Sequence, residues 1–427
     1  VRDPGTGGPV ERLVIVGASL AGLRAVEAAR KAGFTGELTL IGAELHLPYD
    51  RPPLSKEFLA ATDDGAEPAP TTFRTEEVLA EELGVRLMLG APATGLDVER
   101  RVVQVGRTEV PYDALVIATG AHARHLPGSA HLRGVLPLRT LDDSVAIRRA
   151  LDGGARTVVI GAGFIGSEVA SSAAKRGVPV TVVEAQPTPL VRAIGTRMGQ
   201  AIAALHERHG TSLRCGVGVR SVEGGDHVER VVLDDGTELP ADLVIVGIGV
   251  VPSVGWLAGA GLTLDNGIVC DETLWTGAPG VYAAGDVANW PNPTLGVRQR
   301  MENWTAAAEQ GAAAARNALD PAGAKPYGTV PYYWSDWYDV RIQFVGEPEA
   351  DEVLVVDGDP DDPHSRRWVA LYRRGDRVIG ALAVQGQAEI MKYRALIMKG
   401  ATWDQALEHA AKRRRLREEK AWEGAAV

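Results

Sequence analysis

At 427 residues the chain is too long for one ordinary domain, and two or three are expected. Its 45% hydrophobic and 23% charged residues are those of a soluble globular protein, and its net charge of -10 argues against wholesale nucleic-acid binding. Cys215 and Cys270 stand far apart with no Cys-x-x-Cys. That excludes a disulfide scaffold, a thiolate iron–sulfur site and a dithiol redox centre, and two buried thiols in a reducing cytoplasm is the plain reading.

Residues 1–9 are rich in Gly and Pro and read as a loose tail, not a signal peptide. No stretch reaches the ~18 consecutive apolar residues of a membrane span, so no membrane association is expected. Leu13-Val14-Ile15-Val16 then runs into Gly17-Ala18-Ser19-Leu20-Ala21-Gly22, a strand, a glycine turn and the start of a helix. In a dinucleotide-binding fingerprint the glycines allow the tight turn, the approach of a pyrophosphate and the packing of helix on strand. Ser19 replaces the middle glycine; with a negative φ it still leaves room, and its hydroxyl can donate to a phosphate. A strand over 37–41 follows, and Glu44 just beyond it is either a ribose-binding acid or a surface loop residue.

Pro48-Tyr49-Asp50-Arg51-Pro52-Pro53-Leu54-Ser55-Lys56 is stiffened by its prolines, and Ser55 is placed to cap a following helix. It is a rigid loop or, through Arg51 and Lys56, a ligand clamp. Strands are expected over 85–89 and 102–105. Leu115-Val116-Ile117-Ala118-Thr119-Gly120 is a buried strand ending in small residues, as where a chain crosses close to a cofactor. The Ala-, Gly-, Pro- and His-rich stretch from there to about 137 reads as a hinge.

Thr157-Val158-Val159-Ile160 leads into Gly161-Ala162-Gly163-Phe164-Ile165-Gly166, the full Gly-x-Gly-x-x-Gly pattern, with an Ala-rich helix after it. A strand over 180–183 ends in Glu184, about twenty residues past the glycines, where the ribose-binding acid belongs. That carboxylate accepts from the hydroxyls of an NAD ribose and repels the extra phosphate of NADP, and the next residues, Ala185-Gln186-Pro187-Thr188, offer no Arg to bind that phosphate, so NADH is favoured. A hairpin turning at Asp235-Gly236, a buried strand over 243–246 with a glycine exit at Gly247 and Gly249, and Val281-Tyr282-Ala283-Ala284-Gly285-Asp286 come next. Asp286 either meets a polyol hydroxyl or caps a turn. An Ala-rich helix is expected over 305–319. From about 327 aromatics cluster, strands are expected over 342–345, 352–356, 368–372 and 378–384, and the chain ends helical from 388 to about 419. That is a separate domain, an antiparallel sheet backed by helices.

Two nucleotide-binding loops in one chain imply two nucleotides, most economically a resident, non-covalent FAD and an arriving NAD(P)H. The early loop and the exits at Gly120 and Gly285 belong to FAD, and the middle loop to the nicotinamide nucleotide. The expected fold class is α/β, with two Rossmann-like domains and an α+β C-terminal domain. The FAD domain is discontinuous, 1–121 and 246–326; the NADH domain spans 122–245, and the C-terminal domain 327–427.

In these motifs the chain resembles the NADH-dependent, FAD-containing ferredoxin reductases of oxygenase systems, from residue 13 to about 407. The resemblance rests on Arg51-Pro52-Pro53-Leu54-Ser55-Lys56, Ala118-Thr119-Gly120, Leu138-Arg139-Thr140, the stretches 161–168 and 247–252, Ala284-Gly285-Asp286 and Trp334-Ser335-Asp336. It implies a glutathione-reductase-like fold without the dithiol. It further implies FAD contacts from Ala21, Ala43 or Glu44, Lys56, Ala93 (through its backbone), Arg139, Asp286 and Trp304. NADH is then expected along Gly163, Phe164, Ile165, Gly166, Glu184 and Gly249, with Glu302 near the nicotinamide. Ser19 and Ala43, where relatives can carry glycine and an acid, are departures.

Hydride arrival leaves negative charge on the flavin, and the resemblance puts Lys56 beside the accepting nitrogen. It nominates Glu168, on the first turn of the helix after the middle loop, to orient that lysine. Read from its residues alone, Glu168 is an acid favoured by the helix macrodipole. Trp334 is either at the flavin edge, on the path to the electron acceptor, or a core aromatic. The implied acceptor is an iron–sulfur ferredoxin feeding a haem monooxygenase or a ring-hydroxylating dioxygenase. The basic run Lys412-Arg413-Arg414-Arg415-Leu416-Arg417 either docks an acidic ferredoxin or is a solvated helix end. The rivals are an NADH–rubredoxin reductase and, in another class, an apoptosis-inducing-factor-like flavoprotein acting mainly by binding. A monomer or homodimer in the cytoplasm, with no metal of its own, completes the expectation.

Overall fold

The computed structural model describes residues 9–61, 71–362 and 365–425. The tail expected over 1–9 therefore lies, but for Pro9, outside the described residues. The backbone divides into two units, one of Val1–Arg51, Pro70–His122 and Val250–Thr329, the other of Pro52–Ala69, Ala123–Gly249 and Val330–Val427.

The first unit is built on a parallel five-stranded sheet in the order Val281–Ala283, Ala114–Ile117, Arg12–Val16, Glu37–Ile41, Val85–Met88. These strands are almost continuously apolar because a parallel sheet is covered on both faces. From the central strand the chain moves first to one side and later to the other, so the turn at Gly17 lies at a topological switch point. Helix Leu20–Lys31 covers one face and packs so tightly on helix Trp304–Leu319 that a Cβ on Gly311 would lie 2.1 Å from the Ala21 carbonyl oxygen. Strands Ala93–Asp97, Val102–Val105 and Thr108–Pro111 form a separate antiparallel sheet.

Backbone packing dictates two of the glycines in the first loop. Gly17 has φ +121° and a Cβ there would sit 2.0 Å from the Ala118 oxygen; on Gly22 it would sit 1.9 Å from the Gly17 oxygen. Gly17→Ala is expected to destabilise the fold by about 3 kcal/mol or more. A melting temperature and flavin content equal to those of wild type would contradict this.

The second unit repeats the parallel architecture, in the order Ser212–Cys215, Val180–Glu184, Thr157–Ile160, Leu243–Val246, Val135–Pro137. The expected hinge thus contains a strand: Val135 and Leu136 are apolar enough to pair with Leu243–Val246, and Pro137 is tolerated because this is the sheet edge. The hairpin Val228–Leu233 to Glu238–Pro240 turns at Gly236, with φ +86°.

The C-terminal segment forms an antiparallel sheet ordered Tyr332–Trp337, Val340–Gly346, Arg377–Val384, Trp368–Arg374, Glu352–Asp357. Its first strand was not foreseen. The helical end is two helices, Gln387–Met398 and Trp403–Ala425, because Gly400 takes φ +64° and breaks the run. Arg413 and Arg417, one turn apart on the second helix, pair with Glu389 at 2.9 and 3.1 Å, and Arg417 also meets Asp357 at 2.5 Å. Two of the five basic side chains of the run therefore hold their own helix down, while Lys412, Arg414 and Arg415 are exposed.

Candidate functional site

In the first unit, Ser19 precedes helix Leu20–Lys31 with φ −125°, which any residue can adopt. Gly120 turns with φ +64°, and the Thr119 hydroxyl donates to the Ser253 carbonyl at 3.0 Å. Ala43 lies on the loop after Glu37–Ile41, and Ala93 opens strand Ala93–Asp97.

Glu44 is neither bare surface nor turned away from its neighbours: it takes the Arg51 guanidinium at 2.6 Å and the Tyr49 hydroxyl at 2.5 Å. Burial works against the Arg51 charge, but Tyr49, Glu44 and Asp286 outweigh it and lift the pKa above its usual value. Arg51 is thus the centre of an acid-lined cluster. Trp304 donates its indole N–H to Asp50 at 2.8 Å, and Arg300 joins the Asp286 carbonyl to the Glu302 carboxylate, at 2.9 and 2.5 Å. Gln310, buried, accepts from the Gly285 N–H at 2.8 Å, and its amide nitrogen has no partner among the described residues. A buried donor left open beside the turn Gly285–Val287 fits a polar ligand there.

In the second unit, packing dictates the outer glycines of the full motif. A Cβ on Gly161 would lie 2.4 Å from the Gly247 oxygen, and one on Gly166 2.1 Å from the Gly161 oxygen, whereas one on Gly163 would meet nothing within 4 Å. The protein itself does not need glycine at 163; the open cradle at this helix N-terminus fits a nucleotide pyrophosphate. Glu184 is held by the Ala162 and Gln186 N–H groups, both at 2.8 Å, so its carboxylate is fixed at the lip of that cradle. Ile165 is 43% exposed, Phe164 packs edge-on against Tyr333 at 5.2 Å, and Gly249 takes φ +94°.

The segment carrying Lys56 is clasped at nearly every carbonyl. Ser144 donates to Leu54, Ser172 to Ser55 and Lys56, Arg148 to Phe58, and Arg176 to Leu59 and Ala61. On this rigid turn Lys56 Nζ lies 2.8 Å from Glu168 Oε2, with side chains 11% and 2% exposed. Ser55 does not cap the short helix Glu57–Ala60; its hydroxyl donates to Glu168 Oε2 at 2.5 Å. Ser335 donates to Oε1 at 2.5 Å and accepts from the Trp337 indole N–H at 2.8 Å.

Glu168 does not lie on the first turn of helix Phe164–Lys175 as expected, but one turn further in. It faces Lys56 and two hydroxyls, not the free amides of the helix end, so the macrodipole does not account for it. On strand Tyr332–Trp337 the alternation of faces puts Ser335 and Trp337 inward and Trp334 outward. Trp337 is the core aromatic; Trp334 is half-buried and stacks on Tyr332 at 5.6 Å. Arg139 N–H joins the capping box of Thr140 and Asp143 ahead of helix Leu141–Asp152.

Both thiols stay protonated. Burial pushes Cys215 up to about 11, helped by Glu184 and Glu207, and Cys270 up to about 12. Among the described residues no cluster of His, Cys, Asp or Glu is placed to hold a metal ion, and no helix is long and apolar enough to cross a membrane.

Residues 11–311 match the pyridine nucleotide-disulphide oxidoreductase family. The chain belongs to that family. Residues 332–418 match the reductase C-terminal domain. Among curated relatives, rhodocoxin reductase of Rhodococcus erythropolis is 35% identical, over 90% of this chain and 89% of its own length. The anthranilate 1,2-dioxygenase system ferredoxin–NAD(+) reductase component of Burkholderia cepacia is 36% identical, over 92% of this chain and 95% of its own. The covalent putidaredoxin reductase–putidaredoxin complex contains a chain with TM-score 0.84 and 33% identity, covering 91% of this chain and 93% of its own. The family fold carries one glycine loop in each unit here, and its name's disulfide finds no dithiol among the described residues.

The serines and arginines that clasp the Lys56 turn were not foreseen. One signal for them was present: Glu168, Ser171 and Ser172 place polar groups three and four apart on a helix rich in Ala and Val, and buried polar groups imply partners.

Proposed function

We propose that the chain is an NADH-dependent, FAD-containing ferredoxin reductase that supplies electrons to an oxygenase. The observation that carries the reading is the pair of glycine loops, each at the switch point of a parallel sheet, in a chain several of whose relatives are named ferredoxin reductases. FAD, when bound, takes a hydride from NADH and passes electrons on singly, joining a two-electron donor to a one-electron iron–sulfur acceptor.

The loop 17–22, Gly285 and Asp286 would hold FAD, with Arg51 set to neutralise phosphate charge. The cradle at Gly163 would take the NADH pyrophosphate on free helix amides, and Glu184 would accept from the adenosine ribose hydroxyls. Lys56, oriented by Glu168, offers a positive charge where negative charge develops. Trp334 would line the way out to the acceptor. We place the protein in the cytoplasm, where NADH is available and where Cys215 and Cys270 stay reduced.

The test is NADH-dependent reduction of a panel of ferredoxins and rubredoxins by the yellow protein, with turnover confined to rubredoxins counting against the reading. Acidic ferredoxins should dock on the exposed Lys412, Arg414 and Arg415. Lys412→Glu with Arg415→Glu is then expected to lower kcat/KM for ferredoxin about tenfold at low salt while sparing ferricyanide reduction. Insensitivity to both salt and charge reversal would remove this helix from docking.

A further inference from the structure

We propose that Ser335 is a positioning residue for Lys56, acting through Glu168 from the C-terminal sheet. The inference rests on the reading of Lys56 as the cation that serves hydride arrival.

Hydrogen-bond chemistry sets the direction of every bond in the network. An indole N–H can only donate, so the Trp337 N–H spends itself on the Ser335 oxygen at 2.8 Å. The Ser335 hydroxyl hydrogen then points to Glu168 Oε1, at 2.5 Å, with Ser335 wholly buried. The other carboxylate oxygen takes Ser55 at 2.5 Å and Lys56 at 2.8 Å. With Oε1 pinned from strand Tyr332–Trp337 and Oε2 pinned from the turn Pro52–Ser55, the planar carboxylate has no freedom to rotate. The Lys56 ammonium, which also donates to the Pro52 carbonyl at 3.2 Å, therefore meets the carboxylate in one place. Without Ser335 the carboxylate is held at one oxygen only, by Ser55 and Lys56, and can turn about it, which leaves the Pro52 carbonyl as the one fixed acceptor of the lysine.

The experiment compares Ser335→Ala, Trp337→Phe and Lys56→Met in the full-length, FAD-loaded protein. Ser335→Ala is expected to slow the limiting rate of flavin reduction by NADH about tenfold without weakening NADH binding. Trp337→Phe, which frees the serine hydroxyl but keeps a ring, should have a smaller effect of the same kind. A second readout does not involve turnover: acylation of the Lys56 amine, followed by peptide mass spectrometry, should speed up several-fold in Ser335→Ala but not at the exposed Lys31 or Lys399. If Lys56→Met slows reduction while Ser335→Ala matches wild type in rate and acylation, the role of Ser335 is overturned alone. If Lys56→Met reduces as fast as wild type, the reading of Lys56 fails and this inference falls with it.

Discussion

Lys56→Met is expected to slow flavin reduction by NADH by roughly 10²- to 10³-fold while FAD stays bound. The size follows from what one preorganised charge contributes when charge develops in a water-poor site. Methionine keeps the apolar stem, so the turn that Ser144, Ser172, Arg148 and Arg176 grip should keep its shape. What is lost is the partner of a carboxylate that is 2% exposed. Removing one member of a buried pair costs about 3–5 kcal/mol, and the hydroxyls of Ser55 and Ser335, which still donate to Glu168, should bring the loss below that range. A lower melting temperature with full flavin occupancy and slow reduction in stopped flow is the expected combination. An unchanged rate would make the ion pair a purely structural clamp.

Both glycine loops were legible because every part of the signal is local: a strand, a turn and a helix within fourteen residues or so. Glu184 was legible for a similar reason, being fixed by a sheet register that puts the end of Val180–Glu184 beside the loop. The partner of Lys56 was not, since nothing local to residue 56 points to residue 168, and only the resemblance named the pair. The resemblance rests on stretches that contain Ser55 and Ser335 but gave neither a role, and their hydroxyls meet Glu168 from segments far apart in the chain. The strand Val135–Pro137 was hidden by its short length among loop-forming residues. Composition likewise hid the inward turn of Arg413 and Arg417, since a run of like charges reads as solvated until the acids Glu389 and Asp357 are seen opposite it.

Glu184→Ala combined with Gln186→Arg is expected to shift the preference in kcat/KM from NADH towards NADPH by roughly 10²-fold. In the native chain the Glu184 carboxylate is held by the Ala162 and Gln186 N–H groups and so stays at the cradle, where, on the proposed reading, it would accept from ribose hydroxyls and repel a phosphate. Alanine removes both effects, and an arginine two residues on supplies a partner for the phosphate. Gln186 is exposed, so water can replace the acceptor of its amide; Ala162 is buried, so its amide loses a bond and the variant should melt lower while still folding. Glu184→Gln separates the contributions: it keeps an acceptor for one amide and abolishes the charge, so it should weaken NADH less than alanine while already admitting NADPH. Steady-state kinetics with both coenzymes decides the matter. A wild type that prefers NADPH would overturn the role of Glu184 outright. A double variant that still selects NADH would move discrimination away from this carboxylate, to the neighbouring edge strand Ser212–Cys215, whose Arg214 and Cys215 lie beside Val183 and Glu184.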